Sequence, residues 1–580
     1  MRNRLLTFSL ALVTFFPAST LAQTWSGLAN RAPFSAGLAL LLTNGDVLVQ
    51  ATSNGLGTGQ WWILSPDIFG NYTTGTWTQV ASFPAGYAPL YYAAAVLPDG
   101  RVIIEGGEFN GSSNKGVWTT LGAIYSPANN TWTSVAPPSG WTAIGDAPSV
   151  VLPDGTFMLG NCCSAQDALL NAGSLTWNLT GRSGLFNNEN GWVLLPNGNV
   201  LSVNATSSPS YGIYNPASGT WSVSTNMPQL SVNCEIGPAV LRPDGTVFVS
   251  GDNGATAIYN NATGVWTSGP SFPNGLVVAD GPAALLPSGN VLVDTSPKPT
   301  GNCAPLSYAN GSQFFEFNGS SLISVPRPPN ASNDPSFVGR MLLLPTGQVL
   351  FTDQTSNVEI YTPSGSPQQS WKPTITSVAG TLTPGTTGNL IQGTQFNGLS
   401  QGAMYGDDAQ MATNYPLIAL QNNLTGHVRY LKTHDHSTMA VATGSSPVST
   451  LFDVPSEGLI EGGTSELWVV ANGISSVPAI VTVNGCVPSP SCTGTLGSLV
   501  TAKITVSCSQ SINLTAQAAV CVFLPGSSTA SCEARNQSTT GTSVSAQFGI
   551  TVPSALQSGY CALSWSYGSI NDSKKIQIPF

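Results

Sequence analysis

Asp146, Glu189 and Asp280 each stand eight residues ahead of the second residue of a Pro-Asp-Gly-like turn, and Glu235 stands nine ahead, displaced by the extra residue Arg242. Only 27 of 580 residues are Asp or Glu, so acids in four successive repeats at one register mark a site rather than background. Tyr91 occupies the same register in an earlier repeat, and Arg340 lies two residues further along in a later one. Glu105, Asp252, Asp294 and Asp353 end the returning strands at the same level and are expected to add negative charge. Like charges that converge cannot all ionise without a counterion or several hydrogen bonds. Three outcomes are open. The acids can hold a hard cation such as Ca²⁺. They can bind sugar hydroxyls or an amine, with Tyr91 as a stacking face. Or they can cap strand ends around a water-filled channel. A pair roughly 5 to 10 Å apart would also suit glycoside hydrolysis.

What must position these groups is a repeated hairpin. Leu97-Pro98-Asp99-Gly100 is flanked by apolar runs, and its Asp-Gly step tolerates the positive φ of a tight reversal. The pattern recurs at Asn44-Gly45, Asp154-Gly155, Asn197-Gly198, Asp244-Gly245, Ser288-Gly289 and Thr346-Gly347, spaced 43 to 58 residues apart. That is the period of a four-stranded propeller blade and gives seven of them. Trp77, Trp132, Trp177, Trp221 and Trp266 each close a repeat, and Trp25 precedes the first hairpin. The strand at Trp25 is therefore expected to complete the last blade and remove the open sheet edge. The acids then fall at the end of the innermost strands opposite the turns, around one mouth of the axial channel.

The hairpins, the diglycine Gly106-Gly107, turns such as Ile124-Tyr125-Ser126-Pro127 and the closing tryptophans together resemble the Kelch repeat. The hairpin period stops near Lys372-Pro373-Thr374-Ile375, where alternating strands predict an immunoglobulin-type sandwich. The expected organisation is a signal peptide over 1–22, the propeller over 23–371, the sandwich over 372–483 and a cysteine-rich β domain over 484–580. A Kelch ring followed by such a sandwich resembles the galactose oxidase and glyoxal oxidase family over 25–483. That resemblance implies alcohol or aldehyde oxidation by copper and a tyrosyl radical. Tyr91 matches the radical tyrosine, and Thr433-His434 resembles the loop carrying the last copper ligand. Ala36 stands where the cross-linking cysteine belongs, however, and Phe337-Val338 where Tyr-His belongs. Copper is therefore not expected, because such sites use several nitrogen donors. His434 and His436 flank Asp435, a pattern read either as a metal pair or as a polar strand end.

Residues 1–22 carry Arg2 and Arg4, an apolar stretch and a small-residue end, the pattern of a secretory signal. Ten cysteines fit an oxidising compartment. Cys486 with Cys492 and Cys521 with Cys532 are close enough for local staples, leaving Cys508 with Cys561, one of fifteen connectivities open to six cysteines, and a Cys234 to Cys303 bridge would join adjacent blades. Cys162 and Cys163 are read either as a vicinal disulfide or as loop staples. A net charge of -10 argues against nucleic acid as a partner, and no long apolar run predicts a membrane span. The expected function is binding of extracellular carbohydrate or a surface protein at the acidic mouth, with calcium compatible. The alternatives are a copper oxidase with a rearranged site and a carboxylate-dependent glycoside hydrolase.

Overall fold

Each of the seven predicted turns reverses the chain in the same way. The glycine sits at φ between 78 and 87° in all seven, and its N–H donates to the carbonyl three residues back at 2.8 to 3.0 Å. The computed structural model describes residues 23–579 except 113–114, 183, 189, 304–305, 406–410, 524–528, 554–555 and 557. The signal expected over 1–22 lies outside the described residues.

Seven antiparallel sheets follow one another along the chain, with innermost strands Ser35–Leu41, Ala93–Val96, Ser149–Val151, Asn190–Leu194, Ile236–Leu241, Pro282–Leu285 and Arg340–Leu343. Each innermost strand packs against the next, and Arg340–Leu343 packs back against Ser35–Leu41, so the ring closes. The fold is a seven-bladed β-propeller. Its closure uses Thr24–Gly27, which pairs antiparallel with Val358–Thr362 through Trp25 opposite Tyr361. The closing tryptophans reach the preceding blade through their indole N–H: Trp132 Nε1 donates to the Ala81 carbonyl at 3.0 Å and Trp177 Nε1 to that of Ala136 at 2.7 Å. An amphipathic ring with one polar atom suits that joint between sheets.

Beyond the ring, two sheets face each other across one apolar cluster containing Ile391, Phe396, Phe452, Leu467 and Val481, and form a β-sandwich. A third body is built on a hairpin of Leu499–Phe523 with Ala530–Thr551. Its register shifts between Ser507 and Ile512, and residues on both sides of the shift share one core. Two of the four disulfides are as expected, Cys234–Cys303 and Cys521–Cys532. The other two are Cys486–Cys508 and Cys492–Cys561, in place of Cys486 with Cys492 and Cys508 with Cys561. Strand register is the reason. Val487 pairs with Ser507 in an antiparallel ladder, so one step outward Cys486 meets Cys508, whereas Cys492 lies six residues further along the same extended segment, out of bonding reach of Cys486.

The sandwich also seals one end of the propeller. Its segment Ala403–Tyr405 enters the channel at the turn end and pairs with the blade-six strand Pro282–Leu285. The buried side chain of Gln401 accepts the Leu194 N–H at 2.8 Å, and the Leu285 N–H donates to the Gly402 carbonyl at 2.7 Å. The channel is thereby stoppered from the turn side. This inserted strand was not foreseen, because three residues carry no periodic signal.

Candidate functional site at the propeller mouth

The mouth is built where innermost strands begin, and the chain enters several of them in the left-handed region. Tyr91 has φ 53° and Asp280 φ 55°, while Cys163 at φ 65° and Cys234 at φ 70° stand beside other mouth residues. A side chain in that region costs of order 1 to 3 kcal/mol and persists only where surrounding contacts impose it. Here those contacts are visible. The Tyr91 carbonyl accepts the Glu108 N–H at 2.9 Å beside the short pairing of Pro89–Leu90 with Phe109–Asn110. The Asp280 N–H donates to the Ile236 carbonyl of the neighbouring blade at 3.1 Å. Glu235 is fixed behind Cys234, whose disulfide to Cys303 ties the blade-five entry to a loop of blade six.

The predicted residues meet in two groups that interact. Arg340 lies over the Tyr91 ring, 5.5 Å from its centroid, and donates to the carbonyls of Phe337 and Gly339 at 2.8 Å each. The short 3-10 turn Ser336–Val338, where an oxidase of the resembled family would carry Tyr-His, therefore serves here as a seat for a guanidinium. Asp280 hydrogen-bonds Glu235 and feels the charges of Asp146 and Arg340. Asp146 is 8% exposed and its Oδ1 has no hydrogen-bond partner, as is also true of Asp280 Oδ1. Glu189 lies outside the described residues.

Burial dominates the electrostatics. Desolvation lifts Asp280 to about 6, assisted by Asp146 and opposed by its hydrogen bond to Glu235 and by Arg340. Asp146 is likewise raised by burial, against a hydrogen bond from Cys162. Glu108 is pushed up to about 8 by burial together with Asp146, Asp280 and Cys163. A group of acids that share protons in this way presents both O–H donors and carboxylate acceptors near neutral pH.

Glu108 and Trp118 belong to this site and were not picked out from sequence. Both lie in the blade-two excursion after Gly106-Gly107; the Trp118 N–H donates to the Glu108 carbonyl at 3.1 Å. The indole is 41% exposed and lies against Gly145, next to Asp146, so closely that a Cβ on Gly145 would stand 2.6 Å from Trp118 Cδ1. The available signal was the diglycine itself, which lets the backbone make that excursion. Conversely, the returning-strand acids serve other purposes. Asp252 accepts the N–H groups of Val232 and Asn233 at 2.7 and 2.6 Å, and Asp353 accepts from Thr355 and Asn330. Glu105 is fully buried over Gly122 of its own blade. These carboxylates lie on blade faces or tie down loops.

The donor set does not fit a copper centre. Ala36 is fully buried, and all three histidines of the chain lie in the sandwich, engaged elsewhere. His434 spans Asp435 at 2.8 Å and Asp453 at 3.1 Å. His436 binds Thr450 Oγ1 at 2.8 Å, and burial keeps it neutral, down to about 3. The two therefore make a polar strand end with separate partners. The mouth offers carboxyl, phenol, indole and thiol groups but no imidazole.

No family model matches the chain, and no curated protein matches it. Among solved structures, it is similar to a fungal alcohol oxidase described as catalytically diverse within the AA5 family and solved in complex with copper. That similarity has a TM-score of 0.44 and 12% identity, over 80% of this chain and 99% of the other.

Proposed function

We propose that this protein binds an extracellular polyhydroxylated ligand, a carbohydrate of a cell surface or matrix, at the propeller mouth. The observation that carries this reading is the half-exposed Trp118 indole set beside Asp146 and Glu108, with the Tyr91–Arg340 stack in the same ring of groups. A sugar ring presents apolar C–H faces to aromatic groups and hydroxyls that both donate and accept, which partly protonated acids complement. Four disulfides suit an oxidising compartment. Calcium bridging the carboxylates and sugar hydroxyls is compatible with the same oxygens.

The test is a glycan array on purified protein, with metal content measured on the same sample. The reading expects selective glycan retention that falls at least tenfold in Trp118→Ala and Asp146→Asn. Stoichiometric copper together with alcohol-dependent peroxide release overturns it.

One observation favours a second reading, carboxylate-dependent glycoside hydrolysis. Glu108 holds its proton up to about 8 beside Asp280 at about 6, and such a separation is what a general acid and its ionised partner require. Glycan cleavage that disappears in Glu108→Gln while retention on the array persists would select it.

A further inference from the structure

Eight of the ten cysteines are paired in four disulfides, and the remaining two are adjacent residues at the mouth. Their sulfurs lie 2.8 Å apart. The backbone holds both residues in place from two sides. The Cys162 N–H donates to the Ile144 carbonyl at 2.9 Å and the Cys163 N–H to that of Asn187 at 3.0 Å, with Cys163 at φ 65°. Cys162 is buried against the segment that carries Asp146, where a Cβ on Gly145 would stand 2.9 Å from Cys162 Cβ, whereas Cys163 is exposed to attack from solvent. Both sulfurs also stand 3.6 Å from Asn188 Oδ1.

We propose that Cys162 and Cys163 form a reversible two-electron redox pair whose closure to a vicinal disulfide shifts the side chain packed beside Asp146 and hence the mouth. In the closing step the Cys163 thiolate attacks one sulfur of a small-molecule disulfide such as oxidised glutathione, and the first thiol of that oxidant leaves. Cys162 then loses its proton and displaces the second thiol. Two S–H bonds break, one S–S bond forms, and the oxidant is reduced to two thiols. The Cys163 thiol suits the role of attacker, because its hydrogen bond from Cys162 lowers its proton affinity while that of Cys162 is raised.

Adjacency argues for reversibility rather than permanent stapling. A disulfide between adjacent residues closes an eight-membered ring through the peptide bond that joins them, which works against its planar trans form and leaves the bond easily reduced. Closure also draws the Cys162 sulfur onto Cys163 and so moves the side chain packed beside Asp146. Oxidation and ligand binding thus act at one place, whichever ligand the mouth takes.

The experiment equilibrates the full-length protein against graded ratios of reduced and oxidised glutathione, followed by alkylation and peptide mapping. Expected is a 162–163 peptide that passes from doubly alkylated to lighter by two hydrogens across the series, while the other four disulfides persist. Asp146→Ala removes the carboxyl group beside Cys162 and should shift the oxidation constant about fivefold, equivalent to about 1 kcal/mol. Peptides that stay doubly alkylated in excess oxidised glutathione, or that carry glutathione without closing, overturn the pair. Closure with an unchanged constant in Asp146→Ala overturns the coupling to the mouth. Glycan retention measured on the open and closed forms reads the consequence separately, so a protein that binds no glycan still reports on the redox pair.

Discussion

The two ends of the propeller are made by the same strands and obey different rules. At the turn end, seven reversals repeat one hydrogen bond with glycine at every positive φ, and the sandwich covers them with direct contacts. The Thr433 N–H donates to the Thr43 carbonyl at 3.1 Å, the Met439 N–H to that of Pro153 at 2.9 Å, and Gly473 packs on Gly347. At the mouth, positive φ is carried by Tyr91, Cys163, Cys234 and Asp280 as well as by Gly106, Gly107 and Gly145, and buried carboxyl oxygens of Asp146 and Asp280 lack partners. Regular local geometry marks the end that holds the fold together. Departures from it, maintained at a cost of stability, mark the end with chemistry available to a ligand.

The largest effect should come from giving the turn end the kind of residue that the mouth tolerates. Gly347 sits at φ 78°, and an added Cβ would meet Pro287 Cγ at 3.0 Å and the Gly473 carbonyl at 3.2 Å, where the sandwich docks. Gly347→Val should therefore cost about 2 kcal/mol or more. The measurement is the urea midpoint of the propeller transition, followed by tryptophan fluorescence. An unchanged midpoint would mean that the docking contact contributes nothing, and the contrast between the ends would weaken.

At the mouth the sign should reverse. Asp280→Asn keeps a residue that tolerates positive φ and removes a buried charge with an unpartnered oxygen. It should stabilise the protein by about 1 kcal/mol at pH 8 and weaken ligand retention at least tenfold. A variant both less stable and unable to bind would assign Asp280 to the scaffold.

The same contrast explains how much was legible in the sequence. The blades were readable because Asp-Gly-type turns and closing tryptophans are local signals repeated in every blade, and even the closing strand at Trp25 followed from their order. The register that aligned Asp146, Glu235 and Asp280 came from the same repeats. Glu108, Trp118 and the stopper at Ala403–Tyr405 were not legible, because each belongs to an irregular excursion outside the repeat. The pairing of Cys486 with Cys508 was missed for another reason. Proximity along the chain suggested Cys492, whereas ladder register decides which cysteines face each other.

The smallest effect is in pH dependence, and its sign follows from where the protons sit. Glu108 at about 8, Asp280 at about 6, and, away from the mouth, Asp167 and Glu359 at about 7, all bind protons more tightly folded than unfolded. Burial leads in each case. Between the unfolded value, near 4, and the folded one, the native state holds the extra proton, so stability falls as pH rises through that window. His436 acts oppositely. Held neutral down to about 3, it costs stability as pH falls below its unfolded value of 6.5. The raised acids, Asp334 at about 6 among them, outnumber the one lowered imidazole and predict a melting midpoint higher at pH 5 than at pH 8. Glu108, raised to about 8, controls the upper part of the window. Glu108→Gln should raise the pH 8 midpoint by about 2 to 4 °C and leave the pH 5 midpoint nearly unchanged, where both side chains are neutral. An equal shift at both pH values would trace the change to packing, and the charge shared among Glu108, Asp146 and Asp280 would then not be what sets the mouth apart from the turn end.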